Sequence, residues 1–336
     1  MRLFRGPCHY GRELLPDLPF GWRELFTRGI IWAQRKLGGK TRHYDYCGSQ
    51  ASTAIENLIR SEKPCFVSRF GTGEFEATQR GHDILASGNA MQKAFRILVG
   101  KSGPFWWDNS ILAGISYNAG VFPCSKEIAL SFAKQTLSDA REIDLLGKYQ
   151  EAKLGLIPDN MPSAKLIPLT DLEPFWLDSP WTKALKNKGV LIIHSMPHTI
   201  EKQYAKRHEL FTNPNILPDF ILSVYGSVNS AIGLKTPFAN WFDALEKMKS
   251  DIARIDFDIA ILGCGSYGMS LGAFIKRDLG KKAVHLGGMT QLLFGIRGKR
   301  WDSDPKYARL VTPAWTRPLP DDTPAASNTI EGGCYW

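Results

Sequence analysis

Cysteine is sparse and unpaired in this chain of 336 residues: Cys8, Cys47, Cys65, Cys124, Cys264 and Cys334 include no C-x-x-C spacing. That pattern excludes a disulfide framework and a cysteine zinc site, and it favours a reducing compartment. Long apolar runs are also missing. The longest, such as residues 190–193, have the length of a strand rather than of a membrane-spanning helix. Residues 1–20 hold no continuous apolar stretch of the kind a secretory signal needs, so a cytoplasmic protein is expected. Low-complexity tracts and internal repeats are absent as well. With 43% hydrophobic and 22% charged residues, the composition excludes a disordered or fibrous chain.

Positive charge is in excess, at a formal +9, and it is clustered. Residues 1–43 hold nine bases against three acids, and residues 276–309 again hold nine against three. The remainder is slightly acidic, so two basic segments flank a nearly neutral body. Within the first, Trp22, Leu25, Phe26, Ile30, Ala33 and Leu37 fall at helical spacing, with Arg23, Arg28, Arg35 and Lys36 at other positions. A basic amphipathic helix of this kind either packs on the main domain or makes a peripheral contact with an anionic membrane at its inner face.

The body alternates strand-like and helix-like segments. Strands are expected at 65–67, 111–115, 190–193, 220–224, 259–262 and 283–286, and helices at 127–137, 199–211, 241–255 and 270–279. Residues 157–180 read as a long irregular connection and 313–336 as a loop-rich tail. The alternation implies an α/β, Rossmann-like fold with a mainly parallel sheet and helices on both faces. Three parts follow: a basic amphipathic segment at 1–45, the Rossmann-like body at 46–312 and the tail at 313–336.

Four segments that follow strands carry candidate chemistry. Gly263-Cys264-Gly265-Ser266-Tyr267-Gly268 is a G-x-G-x-x-G turn between a strand and a helix, where backbone amides and the helix N-terminus suit a phosphate. A dinucleotide enzyme needs an acid at the end of the next strand, but that strand runs into His285, Leu286 and two glycines, which argues against NAD. Downstream, Arg297, Lys299, Arg300 and Trp301 form a basic loop suited to closing over a diphosphate. Arg69, Thr72 and Glu74 follow the first strand, with Glu74 a candidate base, sugar-hydroxyl ligand or metal ligand. His194 follows the most apolar strand, with His198 and Glu201 close behind, and is a candidate for proton transfer. Asn118 occupies a similar position.

The run at 261–301, with G-C-G-S-Y-G, then H-L-G-G-M-T-Q-L-L-F-G-I and G-K-R-W, resembles a family of uncharacterised bacterial proteins often encoded among polysaccharide and glycosyltransferase genes. N-A-G-V-F-P at 118–123, L-E-P-F-W at 172–176 and G-C-Y-W at 333–336 extend the likeness from about residue 61 to the end. The R-F-G-T-G-E segment at 69–74 is in turn similar to the R-F-G-D-G-E segment of the GT-D class of glycosyltransferases, whose D-x-E motif holds a metal and whose Rossmann-like sheet binds a nucleotide sugar. Glu74 matches the glutamate, while Thr72 stands where the class has aspartate.

The resemblance implies a glycosyltransferase of bacterial surface polysaccharide synthesis, with a nucleotide-diphosphate sugar as donor and a glycan or lipid-linked acceptor. Mg²⁺ or Mn²⁺ would rest on Glu74 without the aspartate. Gly263, Gly265, Ser266, Tyr267 and Gly268 would hold the diphosphate together with Arg69, Thr72, His285, Arg297, Lys299 and Arg300. Glu74 or His194 would serve as base, Trp301 or Tyr267 would stack on the nucleotide base, and Asn118, His198 and Glu201 would meet the rest of the substrate. Two alternatives stand beside this reading. One is a binding protein for nucleotides or phosphoglycans without turnover. The other is a sugar transferase acting on modified DNA bases, which the absence of a DNA-reading motif disfavours, as it does nucleic-acid binding in general.

Overall fold

The computed structural model describes residues 44–98, 102–148, 160–231, 234, 236–324 and 335–336. The basic amphipathic segment expected at 22–37 lies outside the described residues. Seven strands make one sheet: β1 (Cys65–Arg69), β2 (Leu145–Lys148), β3 (Lys165–Pro168), β4 (Gly189–His194), β5 (Ile221–Gly226), β6 (Ile259–Gly263) and β7 (Lys282–His285). Their order is β3-β2-β1-β7-β6-β4-β5 and every pairing is parallel. Parallel strands require helical crossovers, which cover both faces and select continuous apolar runs such as Val190, Leu191, Ile192 and Ile193.

The pleat divides those runs between two cores. Phe66, Leu191, Ile193 and Leu262 point to one face, under α2 (Thr72–Leu85), α5 (Lys126–Asp139), α7 (Trp241–Ile252) and α8 (Tyr267–Arg277). Val67, Val190, Ile192 and Ile261 point to the other, under α1 (Ser49–Arg60), α6 (Pro197–Tyr204) and α9 (Met289–Leu293). Helix starts follow local capping: Ser125 Oγ accepts from the Ile128 amide at 3.2 Å, and Asn240 Oδ1 accepts from the Phe242 amide at 2.9 Å. The remaining helices are α3 (Ala90–Leu98), α4 (Asn109–Ala113), α10 (Lys299–Asp302) and α11 (Pro305–Ala308). No helix among the described residues is long and apolar enough to cross a membrane.

Several local expectations are corrected. Residues 111–115 are not a strand but belong to α4 and the π turn Gly114–Asn118. The reason is Asp108, whose Oδ1 accepts from the Ile111 amide at 3.0 Å and starts a helix there. The stretch 157–180 contains β3 and two 3₁₀ turns, Leu169–Leu172 and Pro174–Trp176, where Glu173 accepts from Trp176 Nε1 at 2.6 Å and Tyr307 Oη at 2.7 Å. The helix expected at 199–211 ends at Tyr204, and a 3₁₀ turn follows at Arg207–Glu209. The basic segment after β7 is not a loose loop, because Lys299–Asp302 is helical. The described part of the tail is also anchored: Thr316 bridges Ile296, and Trp315 is buried with its Nε1 donating to the Leu210 carbonyl at 2.9 Å.

One close approach joins α8 to the sheet. At Gly272 a Cβ would overlap the ring of Phe66 in β1. Gly272→Ala is expected to destabilise the protein by about 1–3 kcal/mol through overpacking. Gly114→Ala, where a Cβ meets nothing within 4 Å, should stay within about 1 kcal/mol of the parent. Urea denaturation of the two variants checks both.

Candidate functional site

All strands being parallel, their carboxyl ends share one edge. Arg69 ends β1, His285 β7, Gly263 β6, His194 β4 and Gly226 β5. From β4 the chain crosses outward to β5, and from β6 it crosses the opposite way to β7. The crevice between β4 and β6 is therefore a topological switch point, the usual ligand position in open α/β sheets. A cavity of about 470 Å³ opens there, within the range of small-molecule sites. A larger depression of about 770 Å³ lies at the opposite, amino-terminal edge, around Asp45, Asn57, Asp144 and Lys165. None of the post-strand motifs reaches it.

The cavity gathers Arg69, Thr72, Glu74, Asn118, His194, Gly263, Gly265, Tyr267, His285 and Arg300 from the sequence-predicted set. Glu74 stands in the first turn of α2, and its carboxylate folds over Gly71 where a Cβ would otherwise lie. Gly265 and Gly287 have φ of +57° and +65°, the left-handed backbone that favours glycine, and they turn the chain sharply after β6 and β7. In the turn after β6, the Tyr267 and Gly268 amides close back on the carbonyls of Cys264 and Gly265 at 3.3 and 3.1 Å. The Gly265 and Ser266 amides have no acceptor among the described residues.

Two buried histidines line this edge. His194 Nδ1 accepts from the Met196 amide at 3.1 Å, so the neutral ring carries its proton on Nε2. Burial pushes its pKa down to about 4. In this tautomer the Nε2–H of His194 is a donor, and the ring lines the cavity. His285 lies against Gly268, where a Cβ would overlap its ring, and its Nδ1 is 3.4 Å from Ser68 Oγ. Burial and the neighbouring Arg69 cation push its pKa down to about 3. Glu76 also lines the cavity, its pKa raised by burial and by the Asp108 carboxylate.

Other candidates stand apart from the cavity. His198 is exposed and pairs with Asp322 at 3.0 Å, while Thr199 donates to the same carboxylate, so Asp322 fastens the tail to α6. Glu201 is exposed on that helix. Arg297 pairs with Asp302 at 3.1 Å, and neither it nor Lys299 lines the cavity. Trp301 is buried. Tyr267 stacks on Trp241 with centroids 5.0 Å apart and planes 4° apart, and its Oη is 3.1 Å from Ser230 Oγ. Neither ring has a face for a nucleotide base. Ser266 is buried, accepts from Trp241 Nε1 at 3.0 Å, and does not line the cavity. Gly268 acts by admitting His285.

Residues not singled out above also line the cavity: Ser195, Ser227, Asn229, Gly287, Tyr335 and Trp336. Ser227 and Asn229 follow β5, so the rule that located the other post-strand motifs applied there too; Tyr335 and Trp336 stood out only as part of the G-C-Y-W likeness. Among the described residues no three His, Cys, Asp or Glu side chains converge as a metal site. Comparison with protein-family models, curated proteins and solved structures finds no match to this chain.

The histidines set an acid limit on stability. Each has an ordinary pKa of 6.5, which the unfolded chain retains, and values of about 4 and 3 when folded. The unfolded state therefore binds these protons first, and the stabilising effect of the two neutral rings is lost as pH falls from about 6.5 towards 4. Each ring contributes a slope of up to about 1.4 kcal/mol per pH unit in that window. Urea titrations at pH 5, 6 and 7 should show a steep decline that becomes shallower in His285→Gln and in His194→Asn, which keeps an acceptor for the Met196 amide.

Proposed function

We propose that the cavity binds a nucleotide-diphosphate sugar and that the protein transfers the sugar to an acceptor hydroxyl, on a glycan or a lipid-linked glycan, in bacterial surface polysaccharide synthesis. The observation that carries this reading is one juxtaposition. Arg69, Glu74 and the glycine turn after β6 meet at a switch-point crevice, and the Gly265 amide there has no acceptor among the described residues. An anion site and a carboxylate at one cavity are what phosphate departure and hydroxyl attack require together.

The roles follow from the chemistry. As the bond between the sugar's anomeric carbon and the diphosphate oxygen breaks, its electron pair passes to the diphosphate. Arg69, Arg300 and the Gly265 amide would stabilise that charge, with preorganised donors outperforming water in such a crevice. His194 would add the Nε2 proton as a hydrogen bond without transferring it. The acceptor oxygen forms the new bond to the anomeric carbon, and its proton passes to Glu74. Asn118, Ser227 and Asn229 are neutral partners for sugar hydroxyls.

The likeness to D-x-E enzymes implies Mg²⁺ or Mn²⁺. The residues present fit such a cation only through Glu74 together with donor phosphate oxygens, a common arrangement for Mg²⁺, because Thr72 supplies a hydroxyl instead of a second carboxylate. Bound there, it would neutralise diphosphate charge. The basic, amphipathic sequence at 22–37 is a further candidate for holding the protein at a membrane surface.

Isothermal titration with UDP-, GDP-, CDP- and TDP-sugars tests the reading, and one of them should bind. Arg69→Ala should weaken that binding about 10- to 150-fold, the range for a charge-assisted hydrogen bond. With no divalent cation added, Glu74→Gln should keep binding within about threefold, and it should lower transfer by about 10²- to 10⁴-fold. No binding by any donor overturns the proposal. Binding without transfer, unaffected by Glu74→Gln, would instead support the non-catalytic nucleotide- or phosphoglycan-binding alternative.

A further inference from the structure

The cavity has an anionic-ligand end, and its opposite character lies on the other side of one short turn. Gly287 and Gly288 are consecutive. A Cβ at Gly287 would stand 3.3 Å from Arg69 Nη1, and a Cβ at Gly288 would stand 3.4 Å from Tyr335 Cε1. Consecutive Cα atoms are about 3.8 Å apart. An arginine suited to phosphate and an aromatic ring thus flank a single step of backbone.

Of the aromatic side chains that line the cavity, Tyr267 is buried against Trp241, which leaves Tyr335 and Trp336, both half-buried. The pair is held from several sides. Gln291, itself buried, donates from Nε2 to the Tyr335 carbonyl at 2.8 Å. Arg317 donates to the Trp336 carbonyl at 3.2 Å, and Trp336 Nε1 donates to the Asp322 carbonyl at 3.3 Å. Tyr335 packs on Trp301 at 5.7 Å, and Trp336 meets Tyr335 at 6.0 Å with planes 83° apart. Arg300 reaches the Tyr335 hydroxyl at 3.4 Å, placing a cation beside the rings.

We infer that Tyr335 and Trp336 form the platform on which the base of a nucleoside diphosphate stacks, with the Gly287-Gly288 turn as the floor between base and diphosphate. The inference rests on the nucleotide-sugar reading and replaces Trp301 and Tyr267 as the stacking residues. Two rings in perpendicular contact offer a face bordered by an edge, against which a flat heterocycle can stack. Stacking of this kind tolerates any base, so selection among bases falls to other contacts. The backbone hydrogen bonds fix the platform before a ligand arrives, which reduces the ordering cost of binding.

The test compares two probes on the full chain: the nucleoside diphosphate of the donor that binds, and inorganic pyrophosphate, which keeps the phosphate contacts and lacks the base. Tyr335→Ala and Trp336→Ala should each raise the nucleotide Kd about 5- to 150-fold, the measured range for losing one stacked base. Pyrophosphate affinity should change less than about twofold. Tyr335→Phe and Trp336→Phe should recover most of the nucleotide affinity, and thermal melting reports whether each variant is folded. Nucleotide binding unchanged in both alanine variants overturns the platform while leaving the nucleotide-sugar reading standing. Equal losses for both probes also overturn it. A parent protein that binds no nucleoside diphosphate overturns the underlying reading and the platform with it.

Discussion

The ladder between β4 and β6, from Val190 opposite Ile259 to His194 opposite Gly263, sets the position of everything else at the ligand edge. Because the pairing is parallel, a histidine and a glycine turn must emerge side by side. Because the two strands send their chains in opposite directions, a crevice opens between their carboxyl ends. Extending the same register through Leu262 opposite His285 and Val67 opposite Val284 brings Arg69 and Glu74 to that gap from nearly two hundred residues away. Buried strand faces hold this register firmly, since slipping by one residue would exchange the two cores. The site depends on the sheet more than on any loop.

Charge plays a narrower part than the composition suggests. Within the basic stretch at 276–309, Lys276 pairs with Asp144, Arg277 with Asp139 and Asp278, Lys281 with Asp256, Arg297 with Asp302 and Lys306 with Glu173. Most of these cations fasten elements to one another, two of them on the buried carboxylates Asp139 and Glu173. Arg300 is the member of the cluster that faces the cavity. Five of the nine cations in this stretch are thus paired with acids, and one stands at the cavity.

The architecture was largely legible. Strands β1, β4, β5, β6 and β7 are apolar runs followed by glycine, histidine or arginine, and their carboxyl ends supplied most of the cavity. Strands β2 and β3 were missed because each has four residues, Gly147 and Pro168 break their patterns, and the chain around them is rich in proline. Helix α4 was mistaken for a strand because the Asp108 cap, rather than the apolar run it precedes, decides its conformation. At the site, the residue types were legible but their roles were not. Whether His194 donates or accepts depends on the Met196 amide, a contact invisible in composition. Whether Tyr267 or Trp301 can stack depends on burial beneath Trp241 and Tyr335. Tyr335 and Trp336 arrive from a distant part of the chain, and only the G-C-Y-W likeness marks them.

The sheet is made of two contiguous halves, β1 to β3 and β4 to β7, and β1 meets β7 along a single seam three residue pairs long, from Cys65–Lys282 to Val67–Val284. That seam joins segments more than two hundred residues apart, the kind of contact that slows folding because a long loop must close first. Arg69 and Glu74 belong to one side of it, and His194, Gly265 and Arg300 to the other. A molecule seated in the cavity touches both halves at once, so its binding energy opposes their separation directly. Any ligand of this cavity would therefore stabilise the fold across the seam as well as at the site.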